Sequence, residues 1–131
     1  MLNIAKSKSY PVGKVQFSIA DTFAMPAATA GQYSACFAGF LWSHIKREEQ
    51  ADVLAQFARA AGKGSLLVLI DNNYVEGSSQ VITKRDDRGN TCQTRNLTDG
   101  STHLVRKNFP SESSVREQLR GLAGNIQFIN L

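Results

Sequence analysis

The sequence predicts an α/β domain with a mainly parallel sheet, flanking helices and a β-hairpin excursion. Residues 65–74, SLLVLIDNNY, contain five consecutive apolar residues, which is typical of a strand covered on both faces. A second apolar run, ACFAGF at 35–40, comes earlier, and a helical pattern lies between the two. Because strand, helix and strand with short connections form a right-handed βαβ unit, we expect these two strands to be parallel neighbours.

Length and composition indicate one domain spanning residues 1–131, with 42% hydrophobic residues to form its core. No apolar run approaches the roughly 18 residues that a membrane helix needs. Residues 1–10 also lack the apolar region of a secretory signal. These observations predict a cytoplasmic protein with no membrane partner.

The amino-terminal third is predicted to contain a helix end, a strand and a loop. Residues 1–9 have the pattern of an amphipathic helix that stops before Pro11. Alternating apolar side chains over residues 15–19 predict a strand that ends at Asp21. Residues 25–33 contain chain-breaking Pro and Gly and are predicted to form a loop.

The helix between the two apolar runs has clear start and stop signals. Glu48 and Glu49 supply the negative charge that a helix start favours, and Gly62 is placed to end it. The predicted buried face follows helical spacing and consists of Leu54, Phe57, Ala58 and Ala61.

After Tyr74 the pattern changes to a hairpin and a last helix. Turn signals at Gly89-Asn90 and Asp99-Gly100 predict extended segments at 91–97 and 101–105. The last helix is predicted to begin near Pro110, with either Ser111 or Ser114 as N-cap. Ser114 and Glu117 have the spacing of a capping box. Its predicted inner stripe is Val115, Leu119 and Leu122, its predicted end is Gly124, and a further strand is predicted from Ile126.

The charge pattern favours a solvated surface over a nucleic-acid site. The chain carries a net charge of +4, and residues 84–107 hold six basic against three acidic side chains. No aromatic side chain is interleaved with these charges, so a nucleic-acid partner is not expected. Weak binding of nucleic acid by this hairpin stays open as a less favoured hypothesis. Cys36 and Cys92 are predicted to be free thiols, and the separated His44 and His103 do not predict a metal site.

Three predicted strands each end in polar residues, and these ends define the candidate site. The three polar clusters are Asp21-Thr22, Ser43-His44 and Asp71-Asn72-Asn73. In an open parallel sheet, ligands bind outside the carboxyl ends of the strands. We therefore expect the three clusters to line one crevice that contains carboxylates, an imidazole and amides.

The segments FSIADTFAMP, ACFAGFLWSHI and LLVLIDNNYVEGSS, followed later by KNFPSESSVREQL, resemble class I S-adenosylmethionine-dependent methyltransferases. The resemblance covers nearly the whole chain. It implies a partial Rossmann-like, three-layer fold, S-adenosylmethionine as cofactor, and a small-molecule methyl acceptor.

The resemblance also implies roles for individual residues. Asp21 would contact the adenine amino group with Thr22 and Phe23 beside the ring, and the methionine part would lie near Phe37, Gly39 and Phe40. The substrate side would comprise Trp42, Ser43, Asp71, Asn72 and Tyr74, with His44 as a possible base. Two alternatives stay open: Asp21 is an acid that closes a turn, or His44 is a helix-entry residue with no catalytic role.

The chain departs from the family pattern in two ways. It lacks the glycine-rich loop after a first strand and the acidic residue that ends a second strand. We therefore expect a fragment truncated at both ends, weak or inactive alone. The alternative is a non-catalytic module that pairs with a missing half or self-associates through exposed strand edges. Residues 15–19 are then expected to pair in parallel with residues 35–39, or otherwise to stay unpaired.

Overall fold

The computed structural model describes residues 2–26 and 32–131 and has a mixed α/β architecture. The helices are α1 (Leu2–Lys6), α2 (Gln50–Ala61) and α3 (Glu112–Gln118), and short 3-10 turns occupy Trp42–His44 and Arg47–Glu49. The strands are β1 (Ala35–Gly39), β2 (Leu66–Ile70), β3 (Ile82–Arg85), β4 (Thr91–Asn96) and β5 (Thr102–Arg106). They form two small sheets, β1-β2 and β3-β4-β5, in place of one larger parallel sheet. Part of the predicted loop at 25–33 lies outside the described residues.

The predicted parallel pair is confirmed. β1 and β2 run parallel, with Ala35 opposite Leu66 and Gly39 opposite Ile70. The connecting helix α2 ends where predicted, because Gly62 adopts φ 85°, a left-handed conformation that glycine takes without a steric penalty.

The core lies on one face of this pair only. Cys36, Ala38, Leu67 and Leu69 face a core formed with Val53, Leu54, Phe57, Trp42, Ile45 and Leu119. On the opposite face, Phe37 is 67% exposed and Leu66 is 63% exposed. The prediction that both faces are covered is therefore wrong, because Phe37 and Leu66 on the second face remain largely exposed. On α2, Ala58 is exposed and Ala60 is buried in its place.

The predicted hairpin is confirmed, and it belongs to a three-stranded antiparallel sheet. β4 pairs with β5, with Gln93 opposite Val105. β3 pairs with β4 through an irregular register, and the sequence analysis did not predict this strand. Its four residues are too few to show a clear alternation of apolar and polar side chains.

Two predicted strands are not formed. Residues 15–19 make no ladder with β1 or with any other described segment, and Ile19 is 89% exposed. The predicted pairing with 35–39 is therefore wrong, and the alternative of an unpaired segment holds. Residues 126–130 also form no strand, although Ile126 packs against the core.

The last helix is shorter than predicted. Ser111 is its N-cap and exchanges hydrogen bonds with Ser114, so the alternative capping box of Ser114 with Glu117 is wrong. The helix ends at Gln118 and not at Gly124, and Gly121 follows in a left-handed conformation. As a result Leu122, predicted to be on the inner stripe, is 47% exposed.

Within the part of the chain that the structure describes, no helix is both long enough and apolar enough to cross a membrane.

Candidate functional site

Ser43 and Asp71 meet at the carboxyl edge of the parallel pair. Asp71 directly follows β2, and Ser43 lies in the 3-10 turn just after β1. The backbone N–H of Ser43 donates to Asp71 Oδ2 at 2.7 Å, and its hydroxyl donates to Oδ1 at 2.8 Å. This part of the predicted crevice is therefore formed.

Lys107 completes the cluster from the antiparallel sheet. It follows β5, and its Nζ lies 3.1 Å from Asp71 Oδ1 and 2.6 Å from Ser43 Oγ. The Lys107 and Asp71 side chains are 4% and 3% exposed, and Ser43 is completely buried. We call Ser43, Asp71 and Lys107 the edge cluster.

The edge cluster keeps Asp71 ionised. Burial alone would raise the pKa of its carboxyl, but the bonds from the Ser43 N–H and hydroxyl outweigh this, together with those from the Asn72 N–H and Lys107. The net effect is a pKa below the usual range. The Ser43 hydroxyl accepts from Lys107 while it donates to Asp71, so it is engaged on both sides and has no exposed surface for a reactant. Its chemical role is to hold the turn at this edge.

A buried amide, Asn108, extends the cluster into the junction between the two sheets. Its backbone N–H donates to the Ser43 carbonyl at 2.7 Å. Its side chain accepts from the Thr91 N–H and donates to the Ile45 carbonyl and to Asn90 Oδ1, at 2.8 to 2.9 Å. Since Asn108 is 1% exposed, these bonds replace water for the backbone groups at the junction.

Phe40 links β1 to the turn that carries Ser43. It adopts φ 56°, the left-handed conformation that is uncommon for residues other than glycine. Its N–H donates to the Ile70 carbonyl at 2.7 Å, while its side chain is 58% exposed. The chain therefore bends sharply at the same edge and exposes an aromatic ring there.

The other predicted residues of this edge differ in exposure. His44 is exposed, and no other described residue hydrogen-bonds its imidazole. Trp42 is 4% exposed and belongs to the core. Asn72 is exposed, and Tyr74 packs edge-to-face on Phe109 with ring centroids 5.3 Å apart. A ligand at this edge could contact the exposed side chains of His44, Asn72 and Tyr74 directly. It could not contact Trp42 and Ser43, which are buried beneath the edge.

Asp21 is not brought to this edge by any described contact. Its carboxylate accepts from the Phe23 N–H at 2.9 Å and closes a short turn. Thr22 lies within that turn. The neighbouring residues 18–20 line a cleft of about 310 Å³ with residues 35–37, at the amino end of β1. The prediction of a single crevice lined by all three polar clusters is therefore wrong, because residues 15–19 form no strand that could carry Asp21 to the edge.

The two cysteines are free thiols, as predicted. Cys36 borders the amino-end cleft, and burial raises the pKa of its thiol, so the protonated form dominates. Within the ranges that the structure describes, no group of three or more His, Cys, Asp and Glu side chains is arranged to hold a metal ion.

The sequence analysis did not predict that Lys107 and Asn108 belong to the site. Lys107 was assigned to a solvated basic face, but the structure buries it against Asp71. The available signal was its position: it follows β5 directly and precedes Asn108 and Phe109 in the KNFP segment. A lysine among other basic residues does not by itself reveal that a carboxylate lies opposite it in the fold.

Comparisons of the chain with protein-family models, with curated proteins and with solved structures return no significant match. The methyltransferase resemblance, its cofactor and its residue roles therefore stay predictions.

Proposed function

We propose that the chain is a class I, S-adenosylmethionine-dependent methyltransferase domain that acts on a small molecule at the carboxyl edge of β1 and β2. One observation carries the proposal: Ser43 and Asp71, from the ends of two parallel strands, join at this edge through two hydrogen bonds. Ligands of open α/β sheets bind at such an edge. The resemblance of the surrounding segments to the family supplies the reaction class.

Methyl transfer from S-adenosylmethionine depends mainly on how the protein positions the two reactants. S-adenosylmethionine supplies an electrophilic methyl group, so the protein must hold the acceptor in line and remove a proton where the acceptor carries one. His44 is the candidate base, because its exposed imidazole directly follows Ser43. The buried bonds of Ser43 to Asp71 and Lys107 fix the turn, and His44 with it.

The residues fit the cofactor only in part. Phe37, Gly39 and Phe40 are exposed along β1 and just beyond it, and are accessible to the methionine part. A Cβ added at Gly39 would lie 3.1 Å from the Phe37 ring, so a larger residue there would require this exposed ring to shift. Asp21 is engaged in its own turn, and its location does not support the adenine contact. With no glycine-rich loop either, we expect weak binding.

Calorimetric titration with S-adenosylhomocysteine tests the proposal. We expect a dissociation constant on the order of millimolar, which corresponds to about −4 kcal/mol. Absence of any heat of binding up to about 5 mM, well above that constant, would contradict the proposal. Micromolar binding that Asp21→Ala abolishes would contradict the expected weakness and assign Asp21 to the adenine.

Asp99→Ala is the matched control for Asp21→Ala. Asp99 is also an exposed acid that closes a turn, by accepting from the Ser101 N–H at 2.9 Å. An equal affinity in both variants would leave Asp21 as a turn residue. A loss confined to Asp21→Ala would give it the role that the resemblance implies.

A further inference from the structure

The outer edge of β1 presents an unpaired row of backbone groups. Two bonds bracket the parallel ladder, from the Leu66 N–H to the Ser34 carbonyl and from the Phe40 N–H to the Ile70 carbonyl. In a parallel ladder alternate residues bond to the neighbour, so Cys36 and Ala38 face β2. The N–H and C=O groups of Ala35, Phe37 and Gly39 therefore point away from β2, and they have no hydrogen-bond partner among the described residues.

This edge carries none of the charged side chains or prolines that usually prevent pairing, and the described chain nearest to it, residues 18–20, is separated from residues 35–37 by a cleft. Ala35, Phe37 and Gly39 are all exposed, and β1 contains no charged residue or proline. By contrast, the outer strands of the antiparallel sheet carry Lys84 and Arg85 on β3 and Arg106 on β5. Charged side chains of this kind discourage edge-to-edge pairing, and exposed uncharged edges recruit other chains.

The edge is also complementary to itself. An antiparallel arrangement about a two-fold axis through Phe37 would place Phe37 opposite the same residue of a second copy, and Ala35 opposite Gly39. All three outward residues would then exchange N–H to C=O bonds. The methyl group of Ala35 and the absence of a side chain at Gly39 allow close approach, and the Phe37 ring lies near Gly39 of its own strand.

We infer that β1 is a self-association edge, and that its occupant is β1 of a second copy of this chain. Two copies of net charge +4 repel each other overall. Pairing at the β1 edge brings no like-charged side chains of the two strands together, because β1 contains no charged residue. A five-residue strand buries less than the roughly 1,200 Å² of a standard interface, so the dimer is weak and concentration-dependent. The inference does not depend on the proposed methyltransferase function.

Amide hydrogen exchange followed by NMR tests the pairing on the unmodified chain. We expect the Phe37 amide to exchange about two- to fivefold more slowly at about 1 mM than at about 20 μM protein, because exchange occurs from the monomer and a weak dimer lowers the monomer fraction by about that factor over this range. The Ala35 and Gly39 amides should follow the same trend. The Cys36 and Ala38 amides, bonded to β2, should be protected at both concentrations and so report that the fold is intact. Fast, concentration-independent exchange at the three outward amides would overturn the inference.

Sedimentation equilibrium supplies the second readout, with a matched pair of variants. We expect the average mass of the unmodified chain to rise toward that of a dimer with concentration. Phe37→Asp should stay monomeric, because it places two carboxylates on the axis. Val12→Asp, at a residue 99% exposed and remote in sequence from β1, should associate like the unmodified chain. Equal association of both variants would overturn the inference, as would association without protection of the outward amides.

Discussion

The Lys107 ammonium lies 3.1 Å from the Asp71 carboxylate, and together these two side chains join the antiparallel sheet to the carboxyl edge of the parallel pair. Neither group has appreciable contact with water. A buried charge that loses its partner is costly, whereas an intact buried pair contributes little net stability. The main role of the pair is therefore to position the carboxyl edge of β1 and β2 against the antiparallel sheet.

Removing one member of this pair should destabilise the fold strongly. We expect Lys107→Met to lower the free energy of unfolding by about 3 to 5 kcal/mol, because Asp71 is left as a buried, unpaired charge. The double variant with Asp71→Asn should lose less than the sum of the two single changes. Urea denaturation measures these differences.

Lys46→Met is the control for that experiment. Lys46 pairs with Glu49 at 2.9 Å but is 40% exposed, so its loss should cost less than about 1 kcal/mol. A similar cost for Lys46→Met and Lys107→Met would contradict the special role of the buried pair.

The lowered pKa of Asp71 predicts a stability that depends on pH. Its folded-state pKa lies below its unfolded value of about 3.9, so its contribution is complete well above that pH and is lost as pH falls through the folded pKa. We expect Asp71→Asn to be less stable near neutral pH, by an amount that shrinks as pH falls below about 4.

Thermal unfolding across pH checks this expectation. Other carboxyls with a lowered pKa, such as Asp99, titrate in both proteins and cancel in the comparison. A stability difference that stays constant from neutral to acid pH would show that the Asp71 charge is not the cause.

The buried Asn108 side chain should contribute strongly to stability through its hydrogen bonds. We expect Asn108→Leu to cost on the order of 3 kcal/mol, because the Thr91 N–H and the Ile45 carbonyl would each lose a buried partner. Asn96→Ala is the control, since Asn96 is exposed and, among the described residues, its side chain accepts only from the neighbouring Thr102 hydroxyl. Chemical denaturation that gives both variants the same small cost would contradict the buried network.

The one-sided core predicts opposite outcomes for two phenylalanines. Phe57→Ala should cost about 3 to 5 kcal/mol, because Phe57 is 5% exposed and its loss leaves a cavity. Phe37→Ala should cost much less, since that ring is already 67% exposed. A large cost at Phe37, measured at a dilute concentration, would indicate that something covers the second face.

The sequence contained enough to predict the parallel pair, because short apolar runs and a helical stripe at 50–61 are local signals. It also contained the Asp71 end of the site, since the change from Ile70 to Asp71 is visible in the chain itself. Which faces are covered could not be predicted in the same way. Leu66 and Leu67 are both leucine, yet Leu66 is exposed and Leu67 contacts the core. This difference depends on which face of the strand other elements pack against.

Non-local contacts explain the remaining errors. Residues 15–19 alternate as a strand does, but a strand needs a partner, and no described segment pairs with them. Lys107 and Asp71 are separated by 36 positions, so their pairing depends on the whole fold and not on any local pattern. A buried polar network of this kind becomes visible only when both ends are located in space.

The most direct test of the central claim is an NMR titration of the ¹⁵N-labelled chain with S-adenosylhomocysteine. If the carboxyl edge is the reaction centre, dose-dependent amide shifts up to about 5 mM should concentrate at residues 39–44 and 72–74. A lack of shifts over this range would contradict the account. Shifts confined to the amino-end cleft, at residues 18–20, 35–36 and 60–61, would contradict it equally.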